Sequence, residues 1–241
     1  MKKVLWAEMR RLEFDEALKK DAVVIVPVGS TEQHGTHLPI NTDANCCFSI
    51  AKKAAESVKD FPVLVLPPVW TGYSPHHMSF QGAVTLSFQT FVEVLTEIAG
   101  SIHDHGFKKI LFLNGHGGNS PAVSVLRNKL LDEGGFPVVG MDYFTLPGVV
   151  SFLKQICETD KGAIGHSGEV ETSLQLFLQP ELVDKKSIKW VQGMRGNPDK
   201  ASREKGEKIF SFIVKALVQV LSDFHSGKLE ERFLWRKEIL E

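Results

Sequence analysis

Glu32 and His34 stand two residues apart in the segment Gly29-Ser-Thr-Glu-Gln-His-Gly-Thr-His-Leu-Pro-Ile-Asn-Thr-Asp43, directly after an apolar run. An extended backbone turns the side chains of i and i+2 to the same side. Asp43 follows where the next helix begins, a place that the helix dipole makes favourable for a carboxylate. Two carboxylates and an imidazole on one loop suit a divalent transition ion. Alone, the segment describes a polar turn with an N-capping Asp43 equally well. A second segment, Asn114-Gly-His-Gly-Gly-Asn119, follows another apolar run. Its glycines allow a tight bend and close approach to a ligand. Glycine-rich strand-to-helix turns also form phosphate nests, but such a nest needs no imidazole at its centre, so His116 favours metal.

The third segment, Gly165-His-Ser-Gly-Glu-Val-Glu-Thr-Ser173, leads into an amphipathic helix whose core face is Val170, Leu174, Phe177 and Leu178. Glu169 and Glu171 therefore fall off the core face. Stabilising the helix N-terminus is the plainer role for one of them. His166 beside them suits a proton shuttle, because an imidazole titrates near neutrality. As candidate metal contacts, the three segments together supply two imidazoles (His34 and His116), one Asp and up to three Glu. That set matches a binuclear hydrolytic site, in which a shared carboxylate bridges two ions and a bound water ionises near neutral pH.

Short apolar runs alternating with helical periodicity must position these loops. Strands are expected at 23–28, 62–66, 109–113 and 136–141. Helices are expected from Asn41 or Thr42, from Ser87 with Gly106 as its C-terminal glycine, after Asn119 with Pro121 in the first turn, over 168–178, and from Ser202 to Phe224. Such alternation implies a mainly parallel sheet covered by helices on both faces, a three-layer α/β/α arrangement. Sites in such sheets gather beyond the carboxyl ends of the strands, where these motifs fall. No repeat or linker divides the chain, so residues 1–241 read as one domain.

Four motifs carry a resemblance to the creatininase (creatinine amidohydrolase) family: Pro-Val-Gly-Ser-Thr-Glu-Gln-His-Gly at 27–35, Asn-Gly-His-Gly-Gly-Asn at 114–119, His-Ser-Gly-Glu-Val-Glu-Thr-Ser at 166–173 and Ala-Ser-Arg-Glu-Lys-Gly-Glu at 201–207. They stand in the family's order. The resemblance implies a creatininase-like α/β/α fold, often hexameric, and an amidohydrolase with two divalent ions, Zn or Mn, with Fe a further option. It implies metal contacts at Glu32, His34, Asp43 as the bridge, and His116. Creatininase itself carries a metal-ligating Glu where this chain has Gly118, and an apolar residue where it has Glu169. The fifth metal contact falls to Glu169 or Glu171; the exchange of a glutamate between loops favours Glu169, with Glu171 then assisting the catalytic His166 or orienting its neighbours. Creatininase also has a Trp and a Glu where Gly162 and Gly165 stand, and a second Trp where Tyr143 stands. Without those indoles there is no flat stacking surface for a small ring, so creatinine is not the expected substrate. The loop 67–87, with Tyr73, His76, His77 and Phe80, resembles the family's substrate loop.

The resulting expectation is a metal-dependent hydrolase of non-peptide C–N bonds, in a cyclic amide or formamide, using a hydroxide activated by both metals. A deformylase, a peptide-processing hydrolase and a non-catalytic phosphate- or nucleotide-binding α/β module are the alternatives. His103 and His105 read as structural, His37 as orienting the ligand loop, and His225 as exposed. Cys46 and Cys47 read as buried and inert, and the basic residues of 184–208 as a solvated face, with Arg203 a candidate contact to a neighbouring subunit.

Composition narrows the partners. With 28 Lys+Arg against 29 Asp+Glu, the 241-residue chain has no long-range attraction to nucleic acid or anionic lipid. Its apolar runs fall short of the roughly 18 residues of a membrane helix, and charges at residues 8–13 interrupt any leader. Three cysteines without a pairing pattern suit a reducing cytoplasm. A small amide substrate and further copies of the chain are the expected partners.

Overall fold

The structure is a computed structural model that describes residues 3–159 and 165–229. Four strands, β1 (Val23–Val28), β2 (Val63–Val65), β3 (Lys109–Asn114) and β4 (Val139–Asp142), form a parallel sheet in the order β2-β1-β3-β4. The register is continuous along β1 and β3, from Val23 beside Lys109 to Val28 beside Asn114. Every residue of β1 is buried, as a strand covered on both faces requires.

Period-two alternation divides the core. Val23 and Ile25 of β1, with Leu111 and Leu113 of β3, pack with α2 (Thr42–Ser57), α5 (Val149–Ile156), α6 (Glu169–Leu178) and α7 (Arg203–His225). Val24, Val26 and Val28, with Ile110 and Phe112, face α1 (Arg11–Lys19), α3 (Phe88–Asp104) and α4 (Ser120–Asp132). The three-layer expectation holds. No helix among the described residues is long and apolar enough to cross a membrane.

The capping signals at Ser87, Ser202 and Gly106 act as read, whereas Asn41, which precedes α2, makes no side-chain capping bond. Ser87 Oγ accepts from Thr90 N and Ser202 Oγ from Lys205 N, and Gly106 takes φ +97 after α3. The last strand begins later than its apolar run suggests, at Val139, and extends to Asp142, whose carboxylate accepts from Ser120 Oγ and Asn114 Nδ2. Helices α1 and α5 carry no part of the motifs and were not anticipated.

Because β2 and β3 flank β1 on opposite sides, the chain leaves β1 towards one layer and β3 towards the other. The strand order therefore switches between β1 and β3, and the crevice beyond their carboxyl ends lies between the first two motif loops.

Candidate metal centre

Four of the five expected metal contacts meet in that crevice, all of them buried: Glu32, His34, Asp43 and His116. His34 Nδ1 lies 3.1 Å from the carbonyl of Glu32. A carbonyl only accepts, so the neutral ring carries its proton on Nδ1, and the Nε2 lone pair is the one that can take a second proton or a metal ion. That lone pair faces Asp43 Oδ1 at 3.0 Å and Glu171 Oε2 at 3.7 Å. His116 Nδ1 likewise faces Asp43 Oδ2 at 3.1 Å and Glu32 Oε1 at 3.2 Å. Asp43 thus stands between two imidazoles, one to each oxygen.

Three carboxylates meeting two imidazole nitrogens away from water need positive charge between them. The oxygens concerned, Glu32 Oε1 and Asp43 Oδ2, have no hydrogen-bond partner although they are buried. Donor atoms of Glu32, His34 and Asp43 lie within 4.8 Å of one another, as do those of His34, His166 and Glu171. Oxygen and imidazole donors of this kind fit zinc or manganese. The electrostatics point the same way. Burial works against a charged imidazole, but the neighbouring carboxylates overcome it, pushing His34 up to about 9 and His116 up to about 10. Burial opposes ionisation of Asp43 too, yet His34 and His116 hold it well below the usual carboxylate range.

Two asparagines and the glycines shape the His116 turn. Asn114 Nδ2 donates to the His116 carbonyl (2.7 Å) and its Oδ1 accepts from His116 N (3.1 Å). Asn119 ties the turn to Gly29 and to Tyr73. A Cβ at Gly115 would lie 2.7 Å from the Asp43 carbonyl oxygen, so glycine lets the β3 turn reach the start of α2.

Glu169 is the exception: its carboxylate lies away from the cluster, and Glu171 stands beside His34 instead. Residues i and i+2 of a helix point about 200° apart, so one helix start cannot aim both at one site. The Glu169 carboxylate turns away and is saturated by Lys205 Nζ (2.6 Å), Thr159 Oγ1 (2.7 Å) and the backbone N–H groups of Glu158 and Thr159. Glu171, held by Ser167 N at 2.6 Å, faces His34. Burial pushes its carboxyl up to about 7 in spite of that imidazole.

His166 joins the cluster. Its Nε2 lies 2.6 Å from the carbonyl of Gln33, which can only accept, so Nε2 carries the proton and the Nδ1 lone pair looks inward, 3.4 Å from Glu32 Oε1. Burial and the nearby His34 push His166 down to about 3, leaving it neutral. Gln33 went unremarked in the sequence. Its Oε1 accepts from Gly35 N (2.8 Å), so the amide nitrogen faces His77 Nδ1 at 3.1 Å. The proton of His77 is thereby placed on Nε2, which lies 3.3 Å from Glu32 Oε1.

The cavity above these groups, of about 560 Å³, is lined in part by His76, His77, Phe80, Phe144 and Arg195. His76 and His77 come from the loop that the sequence marks as substrate-facing. Tyr143 does not face the cavity. It is buried in the core, and Phe144 lines the wall instead. Gly162 lies outside the described residues. The basic stretch is not uniformly solvated either, since Lys205 pairs with Glu169 and Glu158 and Arg195 reaches the cavity. His37 contacts Thr172 at 3.0 Å, consistent with an orienting role. His225 is half-buried against Phe61, with ring centroids 3.9 Å apart, rather than exposed. Cys46 and Cys47 are buried and burial pushes both thiols up, as an inert role requires.

The family model for creatininase, described as creatinine amidohydrolase, matches residues 7–221. The chain belongs to the creatininase family and is a hydrolase. It is 31% identical over 221 residues to the mycofactocin precursor peptide peptidase of Mycolicibacterium smegmatis, spanning 80% of this chain and 81% of that protein. It is 27% identical over 240 residues to the creatinine amidohydrolase of Pseudomonas putida, spanning 84% and 90%. A manganese form of creatininase superposes with a TM-score of 0.81 at 27% identity, over 92% of this chain and 98% of the other.

Proposed function

We propose that this single-domain chain is an amidohydrolase that uses two divalent ions, zinc or manganese, to cleave a non-peptide amide or formamide C–N bond in a small molecule. The observation that supports it best is the paired arrangement around Asp43. One oxygen faces His34 with Glu171 beside it, and the other faces His116 with Glu32 beside it. Each set would hold one ion, with Asp43 shared. When bound, such ions polarise a carbonyl and acidify water.

The chain's own residues do the rest. His166, neutral and anchored through Nε2–H on the Gln33 carbonyl, presents Nδ1 to the centre. It takes up a proton there and returns it to the departing nitrogen. Ser30 Oγ, which donates to Glu32 Oε2 at 2.9 Å, orients Glu32 from behind, and Gln33 positions His77 beside it. Phe80 and Phe144 wall the cavity with apolar surface that limits water around the scissile bond. Free thiols at Cys46, Cys47 and Cys157 suit a cytoplasmic setting. The exposed indoles of Trp70 (56%) and Trp190 (74%) support association with further copies.

Protein purified without chelator is expected to carry about two transition ions per chain by elemental analysis, the complement of a two-metal site. Asp43→Ala should lose both the ions and hydrolysis of the active compounds in a screen of formamides, lactams and short peptides. His166→Ala should keep the metal and lose the activity. A metal-free wild type, or an Asp43→Ala variant of full activity, contradicts the reading.

A further inference from the structure

Arg195 enters the cavity from a stretch of chain outside the metal-site motifs. It stands on the turn 191–196, where Gly193 (φ +100) and Gly196 (φ +83) take left-handed backbone that favours glycine. The turn is seated on the segments that carry the chemistry. Arg195 N donates to the carbonyl of His166 (2.8 Å). A Cβ at Gly193 would come within 3.0 Å of Gln33 Nε2. Met194, beside Arg195, is buried, and its Sδ accepts from Val191 N at 3.3 Å. Arg195 is thus fixed in its backbone, while its side chain is exposed and no carboxylate among the described residues pairs with it.

The cavity has two unlike regions. Asp43 and Glu171 line its floor, where cations would be held, and Arg195 is the one guanidinium among the described residues that line it. A guanidinium presents a planar fork of N–H groups that matches two oxygens of a carboxylate or phosphate. Phe80 and Phe144 offer apolar wall for the stem of a ligand that reaches between the two. A neutral ring would leave Arg195 without a partner.

We infer that the substrate is an amide or formamide that also carries an oxyanion, a carboxylate or a phosphate, and that Arg195 binds this group; the inference rests on the hydrolase reading above. The test is calorimetric titration of the metal-loaded full chain with N-formylglycine, N-formylaminomethylphosphonate and the neutral N-formylglycinamide, with formate release followed in parallel. Wild type is expected to bind at least one anionic probe about tenfold more tightly than the neutral one, and the tighter of the two identifies the anion. Because bound ions also attract anions, the preference is compared with that of Arg195→Gln, where it should fall to about one, and of Arg195→Lys, where part should remain. A preference that survives Arg195→Gln, or no measurable preference in wild type, including no detectable binding of the anionic probes, overturns the inference. Hydrolysis of the anionic probes that is unchanged in Arg195→Gln does so while leaving the hydrolase reading intact. Arg195-dependent binding with no hydrolysis of any probe supports the anion site and counts against the hydrolase reading alone.

Discussion

His116 has room for its imidazole because position 118 carries no side chain. A Cβ there would fall 2.4 Å from His116 Nε2 and 2.7 Å from the Tyr73 carbonyl oxygen. The glycine at 118 is therefore a packing requirement of this site. Gly118→Ala should displace the imidazole and weaken the ion held with Glu32 at least about tenfold, within the range known for disturbed metal shells. Gly117→Ala, whose Cβ would meet nothing within 4 Å, should leave metal affinity unchanged. Metal titration of the two variants checks both, and equal behaviour would count against the account. Gln33 shows the limit of reading residues singly. Its type announces nothing, and its importance comes from contacts on His77, His166 and Gly35 that only the folded loop creates.

Helix α6 decides between two glutamates that composition treats alike. Its apolar face at Val170 and Leu174 is plain in the sequence, but the phase of the first turn relative to the cavity depends on where the helix starts and what lies beside it. Weighing a glutamate absent at 118 against one gained at 169 favours Glu169, whereas in the structure Lys205 of α7 and the segment at 158–159 occupy its carboxylate. Glu171→Gln is expected to reduce metal content from about two ions to about one. Glu169→Gln should keep both ions and lose about 1–3 kcal/mol of stability, since it weakens a buried, charge-assisted network. That is a fall in Tm of about 2–4 °C per kcal/mol for a domain of this size. Elemental analysis and thermal unfolding separate the two, and the reverse pattern would restore Glu169 as the ligand. The strands were legible because β1 and β3 are unbroken apolar runs ending at the motifs. Helix α5 was not, since its eight residues are apolar or β-branched at the start and carry no capping side chain.

At the scale of the molecule, the site exists because the strand order turns at β1 and β3. The parallel sheet with helices on both faces could be inferred from alternating strands and helices, and the comparison with creatininase agrees with that fold, but the strand order itself could not be read from the sequence. The local chemistry at 29–43 and 114–119 was legible for the same reason, as each loop carries its own ligands. Contacts between distant segments were not: Arg195 reaches a cavity whose floor begins at Asp43, and nothing near either residue in the chain announces the other. The central claim is that Asp43 is shared between two cations. Anomalous diffraction at the zinc or manganese edge, from crystals of protein purified without chelator, tests it directly. The account predicts two peaks, one contacted by His34, Asp43 and Glu171 and the other by Glu32, Asp43 and His116. A single peak that leaves Asp43 uncoordinated, or a peak seated on Glu169, would contradict it.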